Sequence, residues 1–171
     1  MPRMRKGTAA LGSSVFFALA PGMVAGVVPW LLTGWGSGGT GPFGGAVRSV
    51  VVLCGGVLLA GGAGVLVHAF VRFVVEGLGT PAPVAPPVHL VVGGLYRYVR
   101  NPMYIAVVAA VVGQAAVLWR GVLVVYALGL CVLFGAFVKG YEEPALRRRF
   151  GVEYDVYCAR VRAWVPTAPR P

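Results

Sequence analysis

The placement of its charges constrains this chain more than any other feature. No charged residue falls between Lys6 and Arg48, between Arg48 and Arg72, between Arg100 and Arg120, or between Arg120 and Lys139. A helix rising about 1.5 Å per residue needs roughly 20 apolar residues, and at least about 17, to cross a hydrocarbon layer about 30 Å thick. Four stretches meet that requirement: Leu11–Thr33, Val50–Val71, Met103–Trp119 and Val122–Val138. The last two are short, and only Arg120-Gly121 separates them, so they must form a tight helical hairpin. Composition agrees, with 58% hydrophobic and 12% charged residues, against about 25% charged in a soluble domain. Five acidic residues in 171 cannot solvate a globule of this size. An ordinary soluble domain, a disordered chain and a secreted disulfide scaffold are excluded. The expectation is an all-α polytopic membrane protein with about four transmembrane helices, forming one integral membrane domain over residues 1–171.

The net charge of +10 does not point to nucleic acid. The cations cluster in the N-terminal tail (Arg3, Arg5, Lys6), in a central loop (Arg97, Arg100) and near the C-terminus (Arg147, Arg148, Arg149, Arg160, Arg162). Such clusters between uncharged runs are what loops facing anionic headgroups carry. The Gly34–Gly45 connection has no charge, so the positive-inside rule puts both termini and the central loop in the cytoplasm of a multi-pass inner-membrane protein. The start of the chain has a rival reading as a signal peptide cut after Ala18-Leu19-Ala20. Pro21 would directly follow that cut and the apolar run continues to Trp30, which favours an uncleaved first span. Gly34–Gly45 is low in complexity and reads as a flexible external connection. Gly22 and Gly26 in the first span, and the glycines from Gly55 to Gly64 in the second, read as close-packing positions between helices.

Chemistry is narrowed by elimination. Cys54, Cys131, Cys158, His68 and His89 lack metal-ligand spacing, and no Ser/His/Asp set is present at plausible spacing. The spans hold none of the acids that ion-coupled transport usually needs. Polar residues concentrate instead in two blocks on the cytoplasmic side. The first runs from Gly77 through the prolines at 81, 83, 86 and 87 to Gly93-Gly94-Leu-Tyr-Arg-Tyr-Val-Arg-Asn-Pro-Met-Tyr104. Its prolines dictate an extended path, and Pro102 suits the first turn of the third span. The open N–H groups of that helix start, beside Arg100, favour a carboxylate or phosphate. The second block opens with Glu142-Glu143 and continues to Pro166. Pro144 would begin a C-terminal cytoplasmic amphipathic helix with Leu146, Phe150, Tyr154, Tyr157 and Val161 on its apolar face.

A plainer account gives the arginines a topological role, the tyrosines an interfacial one, and the glutamates local charge neutralisation. On that account the chain is a non-catalytic membrane scaffold or small permease whose basic loops bind anionic lipid. The density of Arg, Asn, Pro, Tyr and paired Glu at one membrane face favours a functional site.

Gly94-Leu-Tyr-Arg-Tyr-Val-Arg-Asn-Pro-Met-Tyr104, an apolar hairpin, then Glu142-Glu143 and Phe150-Gly-x-Glu-Tyr-x-x-Tyr157 with Pro166 resemble, in order and spacing, the isoprenylcysteine carboxyl methyltransferase and phospholipid methyltransferase superfamily. The Gly-Thr-Pro-Ala-Pro stretch is similar to a loop of its bacterial members, and the heavy use of Gly, Ala, Val and Arg fits a GC-rich bacterial genome. The resemblance implies a membrane enzyme with S-adenosylmethionine as cofactor and a membrane lipid or lipidated small molecule as acceptor. It divides the chain into a two-span region, 1–75, and a methyltransferase-like core, 76–166. By position, Tyr96, Arg100, Asn101, Pro102, Tyr104, Glu142, Glu143, Tyr154 and Tyr157 would bind the cofactor, with Arg100 and Glu143 also catalytic and no metal involved. Prenyl-cysteine enzymes of eukaryotes usually carry His at the position of Asn101. Under this reading Arg100 and the start of the third span would take the cofactor's carboxylate. Glu142 or Glu143 would take its ammonium or ribose hydroxyls, and tyrosines would stack on adenine or face the sulfonium.

Overall fold

The computed structural model describes residues 20–39, 45–77 and 89–168, with backbone alone at 70 and 73–77. The basic tail, the start of the first expected span and the proline-rich stretch from 78 to 88 lie outside the described residues. Those described are all-helical. Helix α1 is Ala20–Thr33, α2 is Gly45–Gly77, α3 is Pro102–Leu118, and α4 is Gly121–Phe137. A π turn, Val138–Glu142, carries α4 without interruption into α5, Glu143–Phe150, and α6 follows at Val152–Arg160. Among the described residues, two helices are long and apolar enough to cross a membrane, Gly45–Ala69 and Gly121–Phe150. Pro102–Leu118 and the described part of α1 are shorter apolar helices.

Packing is thin, as in a protein whose outer solvent is apolar. Val107, Val111, Ala115, Leu123, Ala127 and Leu130 form the core between α3 and α4, while Val125, Leu128, Val132 and Leu133 point outward. The broadest contact is α2 along α3, and small residues set it. A Cβ on Gly55 would lie 2.7 Å from that of Ala116, one on Gly62 would lie 2.8 Å from the Ala106 carbonyl, and one on Gly113 would lie 2.7 Å from the Gly55 carbonyl. Backbones this close gain dispersion contacts where no hydrophobic driving force separates helix from lipid. The expectation of close packing fails in α1, where neither Gly22 nor Gly26 has a described atom within 4 Å of the added Cβ.

Two prolines shape the helices. In α1 the Val28 N–H reaches back five residues to the Met23 carbonyl, forming a π turn, and Pro29 has no N–H to donate. The Val24 and Ala25 carbonyls thereby lose their helical partners. Tyr126 Oη donates to the first at 2.9 Å and Gln114 Nε2 to the second at 2.7 Å. Away from water such carbonyls must be paired within the protein, so these bonds fasten α1 to the hairpin. The second proline, Pro144, follows the π turn in which the Glu143 N–H bonds to the Val138 carbonyl. The extra residue accommodates the proline ring, and the helix runs on instead of stopping at Val138.

The hairpin turn is as tight as expected. Trp119 closes α3 in the left-handed region (φ 55°), its N–H bonded to the Ala115 carbonyl, and α4 starts two residues later. The connection after α1 is less free than its glycines suggest. Gly38 N–H donates to the Leu118 carbonyl at 2.9 Å and Arg120 Nε to the Gly36 carbonyl at 3.0 Å.

One amphipathic helix was expected from Pro144 to Val161, and the structure corrects this. Its first half prolongs α4, and Gly151, at φ +53°, breaks it from α6. Tyr154 and Val161 are buried and Arg147, Arg148 and Arg149 exposed, so the two short helices share the work of one.

Candidate functional site

The site grows from the chain between α2 and α3. Val91 and Tyr96 bury against Ala69 of α2, with Met103 beside them, and this docks the 3-10 turn Gly94–Arg97. Four residues further on, Asn101 caps α3 and Pro102 is its buried first residue. The Asn101 side chain makes no cap bond to its own helix. Its Nδ2 donates instead to the Ala163 carbonyl at 3.2 Å, which leaves the first turn of α3 without a side-chain cap.

The π turn delivers the two carboxylates. Neighbouring helical residues diverge by about 100°, so Glu142 and Glu143 reach different partners. Tyr104 Oη donates to Glu142 Oε2 at 2.9 Å, and Arg100 Nη2 pairs with Glu143 Oε1 at 3.1 Å. The side chains of Arg100 and Glu143 are only 15% and 20% exposed, so their pairing is far less screened than a surface bridge. Arg100 Nη1 also contacts Cys158 Sγ. Its Nε is buried and has no hydrogen-bond partner. The ring of Tyr104 lies 4.7 Å from that of Phe134 and 6.4 Å from that of Trp164.

The C-terminal segment is stitched over this arrangement. Tyr157 Oη donates to the Tyr96 carbonyl at 2.7 Å, the Arg100 N–H to the Arg162 carbonyl at 3.0 Å, and the Thr167 N–H to the Tyr98 carbonyl at 2.8 Å. Tyr154 and Tyr157 stand 6.3 Å apart between ring centroids. Burial pushes both phenols above their ordinary range against the lowering influence of Arg100, so both are neutral donors at physiological pH.

The two sequence blocks therefore meet. Arg100 touches Glu143, Tyr104 touches Glu142, and Tyr157 holds Tyr96, while Asn101 and Pro102 build the start of α3 and Tyr154 backs Tyr157. Sequence reasoning missed Cys158 and Trp164. Cys158 lies one helical turn after Tyr154, a spacing that shares a face, which was the available signal. Nothing in the sequence marks the Arg162 and Ala163 carbonyls as partners.

Fold and site together define a helical membrane protein that gathers acid, base and aromatic groups where one end of a helical hairpin meets a C-terminal cover. Residues 50–153, more than half of the chain, match the phospholipid methyltransferase family. The chain belongs to that family of membrane methyltransferases, part of the superfamily that also includes the isoprenylcysteine carboxyl methyltransferases. The matched region begins within α2 and ends in α6, leaving α1 outside it. No curated protein and no solved structure matches the chain.

Proposed function

We propose that this chain is an S-adenosylmethionine-dependent methyltransferase of the inner (plasma) membrane. It spans the bilayer four times with both termini cytoplasmic, and it methylates an amine or carboxylate on a lipid-soluble acceptor. The observation that carries the reading is the double contact of Arg100 with Glu143 and Tyr104 with Glu142, which joins the Arg-Asn-Pro block to the paired glutamates.

The residues suit the cofactor's chemistry. The unpartnered Nε of Arg100 and the uncapped first turn of α3 offer donors to a carboxylate. Glu142 and Glu143 offer acceptors to an ammonium or to ribose hydroxyls. Tyr96, Tyr104, Tyr154 and Tyr157 supply aromatic faces near them, worth about 0.5–2 kcal/mol each when one meets a cation. When bound, S-adenosylmethionine supplies an electrophilic methyl group on a cationic sulfur. Alignment and exclusion of water are then the protein's main tasks, and no nucleophilic side chain is needed. The aromatic and apolar surroundings of Tyr104 exclude water, and the Arg100–Glu143 pair fixes the position of both groups. For an amine acceptor, Glu143 takes the proton the nitrogen releases and passes it to water.

Incubating purified protein with methyl-labelled S-adenosylmethionine and total membrane lipids, followed by lipid mass spectrometry, tests this reading. Label in a lipid fraction is expected. Cofactor binding without any labelled lipid would make the chain a remnant that has lost turnover.

A further inference from the structure

We propose that the end of the bundle away from the candidate site holds an anionic phospholipid, with one acyl chain in a cleft between α1, α2 and α3 and the phosphodiester on the guanidinium of Arg120. The cleft has a volume of about 330 Å³ and is lined by Ala25, Trp35, Leu59, Gln114, Val117 and Leu118. That is the lower end of what ligand-binding clefts enclose. Helix α3 begins at the candidate site, and at about 1.5 Å per residue its stretch from Gln114 to Leu118 lies roughly 18–24 Å from Pro102. A phosphate on Arg120 is thus held at the opposite end of α3 from Arg100 and the paired glutamates, so this lipid is distinct from the acceptor.

The cleft follows from how the three helices are fastened. Gly55 and Gly113 bring the backbones of α2 and α3 together at this level. Helix α1 is held differently, by Gln114 Nε2 donating across to the Ala25 carbonyl at 2.7 Å, so it stands off by the length of a glutamine side chain. Leu59 of α2 bounds the wedge that this leaves. With the Gln114 amide turned to Ala25, the lining presents aliphatic carbon and one indole. A void in such a lining forfeits dispersion contacts, and within the hydrocarbon layer a lipid chain is the material that restores them.

The link after α1 supplies one wall and meets the charge. Trp35 lines the cleft while 60% exposed, and its backbone stands in the left-handed region at φ +52°, a conformation that bulky side chains rarely adopt. Its N–H is bonded to Thr33 Oγ1 at 3.2 Å. The next residue, Gly36, accepts from Arg120 Nε at 3.0 Å, and the Gly38 N–H bonds to the Leu118 carbonyl at 2.9 Å. The guanidinium therefore lies against the link that carries Trp35. Among the described residues, its two terminal nitrogens meet no hydrogen-bond or ion-pair partner, and a guanidinium matches a phosphodiester in charge and geometry. Arg120 is also the only charged residue between Arg100 and Lys139. The proposed topology puts it on the outer side, where arginine is scarce, and this point alone rests on the proposed function. A tryptophan and an arginine serving only as interfacial anchors require neither the left-handed backbone nor the cleft.

The test uses the full chain in detergent, without methyl donor, so its outcome is independent of any methyl transfer. Native mass spectrometry compares retention of phosphatidylglycerol with that of diacylglycerol carrying the same long chains. The wild type is expected to prefer phosphatidylglycerol by about tenfold or more, the size of a charge-assisted hydrogen bond. Arg120→Gln is expected to lose that preference, and Val117→Trp, which fills the cleft, to lower retention of both lipids. Trp35→Ala removes a wall at an exposed position and is expected to lower both as well, which decides the matter if Val117→Trp does not fold. Arg147→Ala, at the far end of the molecule, should behave as the wild type. Equal retention of the two lipids by the wild type, or wild-type retention in both Arg120→Gln and Trp35→Ala, would overturn the site. A preference lost in Arg147→Ala and kept in Arg120→Gln would put the headgroup on the C-terminal arginines and overturn it likewise.

Discussion

The three nitrogens of the Arg100 guanidinium differ in their surroundings: one pairs with Glu143, one touches Cys158, and one is buried without a partner. A buried donor without an acceptor costs free energy on the order of 1–3 kcal/mol, a cost that a ligand carboxylate would remove. Tyr157 works differently, as a tie between the C-terminal segment and the Tyr96 carbonyl. Tyr157→Phe should lower stability by about 1 kcal/mol, the net worth of one such bond, visible as a reduced melting temperature in detergent. An unchanged melting temperature would mean that the tie contributes nothing. Arg147 and Asp155 form an exposed pair, and Arg147→Ala should leave the melting temperature where it was. At this scale the sequence was most legible where polar residues are rare. Arg100, Tyr104 and the two glutamates stand out because almost nothing else near the spans is polar. Cys158 does not, since a cysteine among apolar residues usually signals only packing, and its meaning depends on an arginine 58 positions away.

Among the elements, the helices divide into those fixed by side-chain volume and those fixed by hydrogen bonds. Helices α2 and α3 are held together by Gly55, Gly62 and Gly113. Gly113→Val would force backbone apart, at a cost of about 1–3 kcal/mol or more, and should destabilise the protein more than Gly56→Val, whose added Cβ meets no described atom within 4 Å. Equal effects of the two changes would contradict this packing. Helix α1 is instead fastened through the carbonyls that Pro29 frees. Gln114→Leu leaves the Ala25 carbonyl unpaired in an apolar setting and should cost about 0.6–2 kcal/mol, within the range for polar contacts between membrane helices. Thermal unfolding of that variant checks the value, and wild-type stability would show that the bond is dispensable. Charge spacing made the positions of the helices readable, because each apolar run is bounded by Arg or Lys. The π turns were not readable. A proline announces a break, and whether the helix stops or adds a residue and continues, as it does before Pro144, depends on what the freed carbonyls can find. The single C-terminal helix misled for a related reason: its apolar spacing persists through Gly151, and only the backbone there shows the break.

Across the molecule, among the described residues, Arg100, Tyr104, Glu142, Glu143 and Tyr157 gather where the start of α3 meets the C-terminal segment, while Arg120 lies at the hairpin turn at the other end of α3. The proposed topology is tested by reporters fused after Pro171. A cytoplasmic C-terminus predicts a fluorescent green fluorescent protein fusion and an inactive alkaline phosphatase fusion, and the reverse pattern would invert the assignment. The meeting of the two blocks was legible as soon as both were assigned to one membrane face. The backbone ties from Arg162, Ala163 and Tyr98 that close the cover were not, because a carbonyl leaves no mark on a sequence.

Equilibrium binding of S-adenosylmethionine to the purified protein in detergent tests the assignment most directly. The wild type and Arg147→Ala are expected to bind alike, with Arg100→Ala and Glu142→Gln each weaker by about tenfold or more, the loss of one charge-assisted contact. A wild-type protein that binds no cofactor, or Arg100 and Glu142 variants that bind as tightly as the wild type, would contradict it.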